Sequence, residues 1–111
     1  MRGEALKGHL DLLVLAVLAG GPLHGYAVIE ALRERSQDAF DLPEGTIYPA
    51  LHRLERAGLL VSEWDSSTGR RRRTYRLTPE GRGQLGTERA AWNEFSTAVA
   101  RVVRGPSWNP I

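Results

Sequence analysis

The chain has 111 residues and a mass of 12.3 kDa, which is the size of one domain. It contains no cysteine, which excludes disulfide cross-links and thiolate metal sites, and its 41% hydrophobic and 25% charged residues are ordinary for a globular protein. The net charge is only +2, but residues 1–43 carry four Lys/Arg against six Asp/Glu, whereas residues 44–78 carry seven against four. A local basic excess of this kind is typical of a surface that meets a polyanion.

The first two predicted elements are helices. An apolar segment over residues 10–19 is too short to span a bilayer and contains Asp11, so it predicts a buried helix of a cytoplasmic protein, over about residues 4–19. Gly20-Gly21-Pro22 ends this helix, and a second helix is predicted over about residues 25–35. The apolar segment is not followed by a clear cleavage site, and we expect no membrane partner.

A third helix is predicted to start near residues 44–46, with Gly58 following it as the C-terminal cap, and its two faces differ. At about 100° per residue, an apolar stripe lies opposite a face rich in hydrogen-bond donors and positive charge. Pro49 costs a hydrogen bond inside a helix unless it lies in the opening turn, which sets the predicted start. The stripe comprises Ile47, Leu51 and Leu54, the opposite face comprises Pro49, His52, Arg53 and Arg56, and Thr46 and Tyr48 lie on the flanks.

A hairpin of two strands follows the third helix. Residues 59–64 form the first predicted strand, residues 65–69 have turn chemistry, and residues 70–77 form the return strand with Tyr75 and Leu77 on its inner face. Alternation places Arg70 and Arg72 on one face of the return strand and Arg71 and Arg73 on the other. The tip of the hairpin is therefore strongly basic.

The last predicted element is a long helix with an apolar seam. Thr78 is its predicted N-cap and Pro79 its first residue, and it runs to about Arg104. Its apolar residues recur at heptad spacing, interrupted by Glu88, and need a cover that the same helix of a second copy supplies. The predicted dimer interface consists of Leu85, Trp92, Phe95, Val99 and Val102.

These elements predict a mainly α (α+β) fold. Residues 1–78 form a winged helix-turn-helix head with a two-stranded wing, residues 79–104 a C-terminal dimerisation helix, and residues 105–111 a flexible tail. Trp108 in the tail has no predicted partner. A donor-rich third helix followed by a basic wing indicates a DNA-binding head.

At this point the sequence resembles the PadR-like transcriptional regulators over roughly residues 6–103. The resemblance implies a homodimer that mostly represses transcription and releases DNA when it binds a small molecule or another signal. One departure is Pro43, which replaces a side-chain cap found in many relatives but keeps the start of the third helix pre-shaped. The motifs that carry the resemblance are Leu23-His24-Gly25-Tyr26, Gly45-Thr46-Ile47-Tyr48-Pro49-Ala50-Leu51-His52-Arg53-Leu54-Glu55, Gly58-Leu59-Leu60 and Tyr75-Arg76-Leu77-Thr78-Pro79-Glu80-Gly81.

The candidate contacts to double-stranded DNA have different predicted roles. Arg53 is suited to reading a guanine edge and His52 to reaching a base or a phosphate, whereas hydroxyls and wing arginines suit the backbone or the minor groove. The alternatives are a surface helix whose Arg53 pairs with Glu55 or Glu44, a hairpin whose charges only prevent aggregation, and a Tyr26 that only packs. The candidate set is Lys7, Tyr26, Thr46, Tyr48, Pro49, His52, Arg53, Arg70, Arg71 and Arg72.

The seam has a second interpretation besides dimer packing. Trp92 and Phe95, with their dimer mates, are suited to line a site for a small aromatic or hydrophobic effector. No cofactor, metal site or catalytic constellation is predicted, since the three histidines lie in separate elements. The sequence thus predicts an effector-responsive repressor, acting as a homodimer on a near-palindromic operator; the alternative is a winged-helix protein-interaction module that does not bind DNA.

Overall fold

Four helices and three short strands make up the part of the chain that the structure, a computed structural model, describes, namely residues 6, 8–67 and 69–106. The elements in chain order are α1 (Leu10–Leu18), β1 (Leu23–His24), α2 (Gly25–Arg35), α3 (Glu44–Arg56), β2 (Leu60–Asp65), β3 (Arg72–Leu77) and α4 (Pro79–Arg104). This order confirms the predicted fold class, a winged helix-turn-helix head followed by a long C-terminal helix.

The first predicted helix is interrupted at residues 8 and 9. Gly8 has a φ of +89° and lies in a turn with His9, so the helix over residues 10–18 is not continuous with Leu6. Glycine adopts this left-handed conformation without steric cost, whereas the apolar periodicity used for the prediction carries no information about it. Leu6 is helical, so the prediction of one continuous helix is wrong at residues 8 and 9, where the chain turns.

The sheet contains a strand that the sequence did not predict. β1 pairs antiparallel with β3, with Leu23 opposite Tyr75 and His24 opposite Thr74, and gives the strand order β1-β3-β2. Two residues are too few to show a period of two, so the strand has no pattern signal. Its position fixes the beginning of α2 beside the wing.

The wing itself is the antiparallel pair of β2 and β3. The register runs from Leu60 opposite Leu77 to Asp65 opposite Arg72. The return strand thus starts at residue 72 rather than 70, so the predicted alternation does not apply to Arg70 and Arg71, which lie in the connecting loop. The Asp65 carboxylate accepts a hydrogen bond from the backbone nitrogen of Ser67 at 2.9 Å, which lowers the pKa of Asp65 and closes the turn.

One hydrophobic core joins the head to the first turns of α4. Tyr75 and Leu77 are buried as predicted, and α1 contributes four buried side chains. No side-chain nitrogen or oxygen atom buried within the described residues lacks a hydrogen-bond partner. The core consists of Val14, Leu15, Val17, Leu18, Val28, Leu32, Ile47, Ala50, Leu51, Leu54, Leu60, Tyr75, Leu77 and Leu85.

The start of α4 is locked against the head. The Thr78 hydroxyl accepts a hydrogen bond from the Gly81 nitrogen at 2.9 Å and donates one to the Gly58 carbonyl at 2.7 Å, which confirms the predicted N-cap. A Cβ on Gly81 would lie 2.0 Å from the Leu59 carbonyl oxygen. The glycine therefore permits a close approach of helix and strand that any larger residue would prevent.

The rest of α4 extends away from the head and carries exposed apolar side chains. Leu85 is only 5% exposed because it packs in the core of its own chain, so its assignment to a dimer interface is wrong. Beyond it, Val102 is 81% exposed. In the part of the chain that the structure describes, no helix is both long and apolar enough to cross a membrane. The large apolar side chains exposed along α4 are Trp92, Phe95, Val99, Val102 and Val103.

Candidate nucleic-acid interface

Helix α3 presents the two faces that the sequence predicts. Its apolar stripe, extended by Ala50, is completely buried, whereas Pro49, His52, Arg53 and Arg56 are exposed. Pro43 is the N-cap residue and offers no side-chain hydrogen bond. Its carbonyl nevertheless accepts from the backbone nitrogens of Thr46 and Ile47, at 3.0 and 3.1 Å. The core fixes the helix, and one face remains available to a partner.

Pro49 lies in the second turn of α3 rather than in its first. The helix starts at Glu44, as predicted, so the proline is its sixth residue. Proline has no N–H to donate to the carbonyl four residues earlier, which belongs to Gly45. Gly45 is exposed, so water can satisfy that carbonyl. The helix thereby tolerates the proline on its outer face.

A cleft of about 680 Å³ lies between α3, the start of α2 and the wing. It brings together six of the ten candidate DNA contacts: Tyr26, Tyr48, His52, Arg70, Arg71 and Arg72. Thr46, Pro49 and Arg53 belong to α3 but do not line this cleft, and Lys7 lies outside the described residues. The remaining lining residues are His24, Gly25, Ala27, Glu30, Trp64, Arg73 and Tyr75.

Tyr48 occupies the junction between α3 and α2. A Cβ on Gly25 would lie 2.4 Å from the Tyr48 ring and hydroxyl, so the glycine makes room for the tyrosine. The ring centroid lies 6.2 Å from that of Tyr26 and 6.5 Å from that of His52. Burial raises the pKa of Tyr48, so its hydroxyl keeps its proton and remains a hydrogen-bond donor.

Tyr26 lies at the surface, at the edge of the cleft. It is 54% exposed, which contradicts the alternative that it only fills the core. A hydrogen bond to the Glu44 carboxylate raises the pKa of Tyr26. The hydroxyl of Tyr26 therefore keeps its proton and lies beside the Glu44 carboxylate at the edge of the cleft.

His24 connects the wing to α2, a role that the sequence did not reveal. Its Nε2 lies 2.9 Å from the Arg72 guanidinium, and its Nδ1 lies 3.4 Å from the Ala27 nitrogen in the first turn of α2. A neutral imidazole has only one acceptor nitrogen, and arginine only donates, so the shorter contact takes that acceptor. Arg72 is thus held beside the start of α2.

Trp64 on β2 is a second lining residue that sequence analysis missed. The guanidinium carbons of Arg71 and Arg73 lie 4.5 and 5.3 Å from its ring centroid, which are cation–π distances. Arg73 also donates to the Ser62 hydroxyl at 2.8 Å and lies 3.7 Å from the Glu55 carboxylate. Arg73 is therefore occupied within the wing, whereas Arg71 is stacked but remains at the surface. The cross-strand pairing of Trp64 with Arg73 is visible only once the register is known.

Arg53 has an acidic partner, but not one of those that the sequence suggested. Its guanidinium forms a hydrogen-bonded ion pair with the carboxylate of Asp11 in the first turn of α1. Glu55, one of the expected partners, instead contacts Ser62 and Arg73. Arg53 and Asp11 are 42 positions apart, so spacing alone gave no signal for the pair.

The sequence and the fold both match known transcriptional regulators. The model of the transcriptional regulator PadR-like family matches residues 14–87. The transcriptional regulator Rv3488 of Mycobacterium tuberculosis is 42% identical over 96 residues, which are 86% of this chain and 87% of that protein. The chain belongs to the PadR-like family. Its members are transcriptional regulators, not enzymes, which agrees with the prediction from the sequence.

Solved structures of PadR-like proteins share the whole architecture. A PadR family regulator from Eggerthella lenta has a TM-score of 0.80 and 34% identity, covering 93% of this chain and 88% of its own. A PadR-like regulator from Bacillus cereus has a TM-score of 0.82 and 28% identity, covering 94% of this chain and 100% of its own. The long C-terminal helix is thus part of the PadR-like fold and not an appendage of this chain.

The aromatic residues of α4 touch the head at one point. The ring of His9 lies 5.1 Å from the Trp92 ring, edge to face, and 6.3 Å from that of Phe95. Trp92 and Phe95 are 6.2 Å apart. This PadR-like protein therefore has an aromatic cluster, formed by His9, Trp92 and Phe95, where α1 begins.

Among the residues described, no three His, Cys, Asp or Glu side chains come close enough to hold a metal ion.

Proposed function

We propose that this PadR-like regulator is a repressor that binds a near-palindromic operator as a homodimer and releases it when an effector binds. The observation that carries the DNA-binding part is the cleft. It joins the hydroxyls of Tyr26 and Tyr48 and the ring of His52 with three consecutive wing arginines. Such donors, together with positive charge, match the acceptor oxygens of a phosphate backbone.

The exposed face of α3 supplies the sequence-specific part of this proposal. An α-helix fits the major groove, where arginine and histidine side chains reach base edges. Pro49, His52, Arg53 and Arg56 occupy that face, and Thr46 flanks it. The wing then follows the adjacent backbone or minor groove, with Arg71 oriented by Trp64 and Arg72 by His24.

Homodimer formation is proposed from the far half of α4. Its exposed apolar side chains form one stripe, and a second copy of the same helix covers such a stripe with matching shape and polarity. Two heads joined in this way read half-sites about one helical turn apart. The interface that we propose comprises Trp92, Phe95, Val99, Val102 and Val103.

The effector response is proposed at the aromatic cluster. Trp92 is 41% exposed although one edge packs against His9, so a flat hydrophobic ligand has aromatic surface to contact. A ligand bound there would contact both the beginning of α1 and the proposed dimer interface. A shift of α1 or of that interface would change the spacing of the two α3 helices and lower operator affinity.

A binding titration tests the DNA-binding proposal against the interaction-module alternative. Fluorescence anisotropy with a labelled duplex from the protein's own upstream region should give an affinity that falls as salt rises. Replacing Arg70, Arg71 and Arg72 with Gln should flatten the slope of log affinity against log salt by about 2–3. Glutamines in place of Arg82, Arg89 and Arg101 on α4 are the matched control and should leave the slope unchanged. Absence of binding to the duplex favours the interaction module, whereas binding that is indifferent to the wing arginines would contradict the role proposed for the wing. A reporter under the control of the upstream region tests repression directly.

A further inference from the structure

The ion pair between Asp11 and Arg53 joins the first helix of the head to the face of α3 that we propose for DNA. Asp11 lies in the first turn of α1, where a negative charge also interacts favourably with the helix dipole. Val14 and Leu15, within one turn of Asp11, are completely buried, so the backbone that carries the carboxylate is fixed. Asp11 therefore holds Arg53 from a rigid support.

The position of Arg53 separates it from the wing arginines. At about 100° per residue, Arg53 lies on the flank of α3 opposite to that of Tyr48 and Glu55, which face the wing. It does not line the cleft that gathers the wing arginines. Arg53 would thus meet DNA on the side of α3 where Asp11 supplies a negative charge.

We propose that Asp11 is a specificity-determining residue, whose carboxylate directs Arg53 to a base edge and disfavours its use as a phosphate contact. This inference rests on the proposed binding of α3 to DNA. The guanidinium has five N–H donors, so donors remain for a guanine edge after the carboxylate has been engaged. The side chain is also ordered before binding, which lowers the entropic cost of a bidentate contact.

The Asp11 carboxylate also destabilises complexes in which Arg53 contacts a phosphate instead of a base edge. A phosphate at the position of a base edge would carry a negative charge close to Asp11, and like charges repel. A guanine edge is uncharged and presents only acceptor atoms. Asp11 therefore costs little when Arg53 reads a base, but weakens every register in which Arg53 meets the backbone.

The pair is poorly suited to a purely stabilising role. The side chains of Arg53 and Asp11 are 55% and 41% exposed, and ion pairs at such exposure contribute little to folding. Asp11→Asn keeps the shape of the side chain and one acceptor oxygen for Arg53 while removing the charge. The variant should therefore fold, which thermal melts followed by circular dichroism verify.

The test compares two duplexes on three proteins. One duplex is enriched from a randomised library by the wild-type protein, and the other is its scrambled sequence. Asp11→Asn should raise affinity for the scrambled duplex and steepen its salt slope by up to about one, while affinity for the enriched duplex stays level or falls. The ratio of the two affinities should drop by at least about fivefold. Glu30→Gln, which removes one charge at the cleft from a residue that does not pair with Arg53, should shift both affinities by the same factor.

The possible results distinguish failure of the inference about Asp11 from failure of the proposed DNA binding. Equal shifts for both duplexes in Asp11→Asn, or no shift for either, would overturn the inference, because the carboxylate would then be only a local charge or a surface ion pair. In an Arg53→Ala background, Asp11→Asn should no longer change the ratio, and a persisting change would also overturn it. Failure of the wild-type protein to enrich any duplex would instead refute the proposed DNA binding.

Discussion

The head and the far half of α4 differ in how each buries its apolar side chains. In the head, three helices and the sheet enclose one core, in which Val14, Ile47 and Leu51 have no exposed surface. Beyond Leu85, α4 leaves Phe95 and Val102 in contact with solvent, although the helix there is as regular as the rest. A single chain therefore buries the apolar side chains of the head, but not those in the far half of α4.

This difference separates two tasks within one small protein. The head holds its proposed DNA contacts by internal means: Gly25 seats Tyr48, and His24 and Trp64 each hold a wing arginine. In the exposed half of α4, the Trp92 ring packs against His9, the residue just before α1. In the proposed function, the reading of DNA therefore depends on contacts within one chain, whereas the spacing of two heads would depend on a second copy.

The strongest contrast between the two regions should be seen when each loses a large apolar side chain. Leu51→Ala leaves a cavity in the closed core and should lower the free energy of unfolding by about 2–5 kcal/mol. Val102→Ala, at a concentration low enough to keep the protein monomeric, should change it by less than about 0.5 kcal/mol. Urea titrations measure both. A similar cost for the two would mean that α4 is covered within its own chain.

A charge on the exposed stripe of α4 should separate the proposed dimer without unfolding the head. Val102→Asp places a carboxylate where two copies would exclude water, and we expect the association constant to fall by about a hundredfold. Thr97 is exposed on the opposite side of the helix, so Thr97→Asp is the matched control. Analytical ultracentrifugation measures the association. A Val102→Asp protein that stays dimeric would place the interface elsewhere.

The fold was predictable wherever local chemistry was sufficient. Thr78 and Pro79 mark the start of α4, Gly58 follows α3 with a φ of +81°, and the buried stripe of α3 follows from its period. What escaped prediction depends on contacts between distant segments. The strand at residues 23–24 exists only because β3 lies beside it, since two residues carry no period of their own.

The candidate site shows the same limit. The sequence identified Arg53 as a cation on the outer face of α3, but its partner Asp11 comes from a different helix. Leu85 fitted the heptad seam, yet the start of α4 packs on the head and buries it. A heptad pattern shows which side of a helix is apolar, but not whether its own chain or another one covers it.

The junction between the two regions should tolerate one glycine substitution and not another. Gly81→Ala would place a Cβ 2.0 Å from the Leu59 carbonyl oxygen, so the helix must shift and stability should fall by about 1–3 kcal/mol. No atom lies within 4 Å of a Cβ on Gly83, so Gly83→Ala should stabilise the protein by about 0.5–1 kcal/mol through helix propensity. Thermal unfolding of both variants checks the opposite signs. Stabilisation by Gly81→Ala would disprove the close approach.

The smallest effect concerns the contact that joins the two regions. His9 packs its ring edge to face with that of Trp92 at 5.1 Å, and such pairs contribute about 0.5–1.5 kcal/mol beyond their buried area. A double-mutant cycle of His9→Ala and Trp92→Ala isolates this contribution from the loss of each side chain alone. The cycle should be run in the Val102→Asp background, because a dimer contact of Trp92 would otherwise enter the same number. A coupling energy near zero would mean that the His9–Trp92 contact does not link α4 to α1. An effector bound at the aromatic cluster would then have no contact through which to change the head.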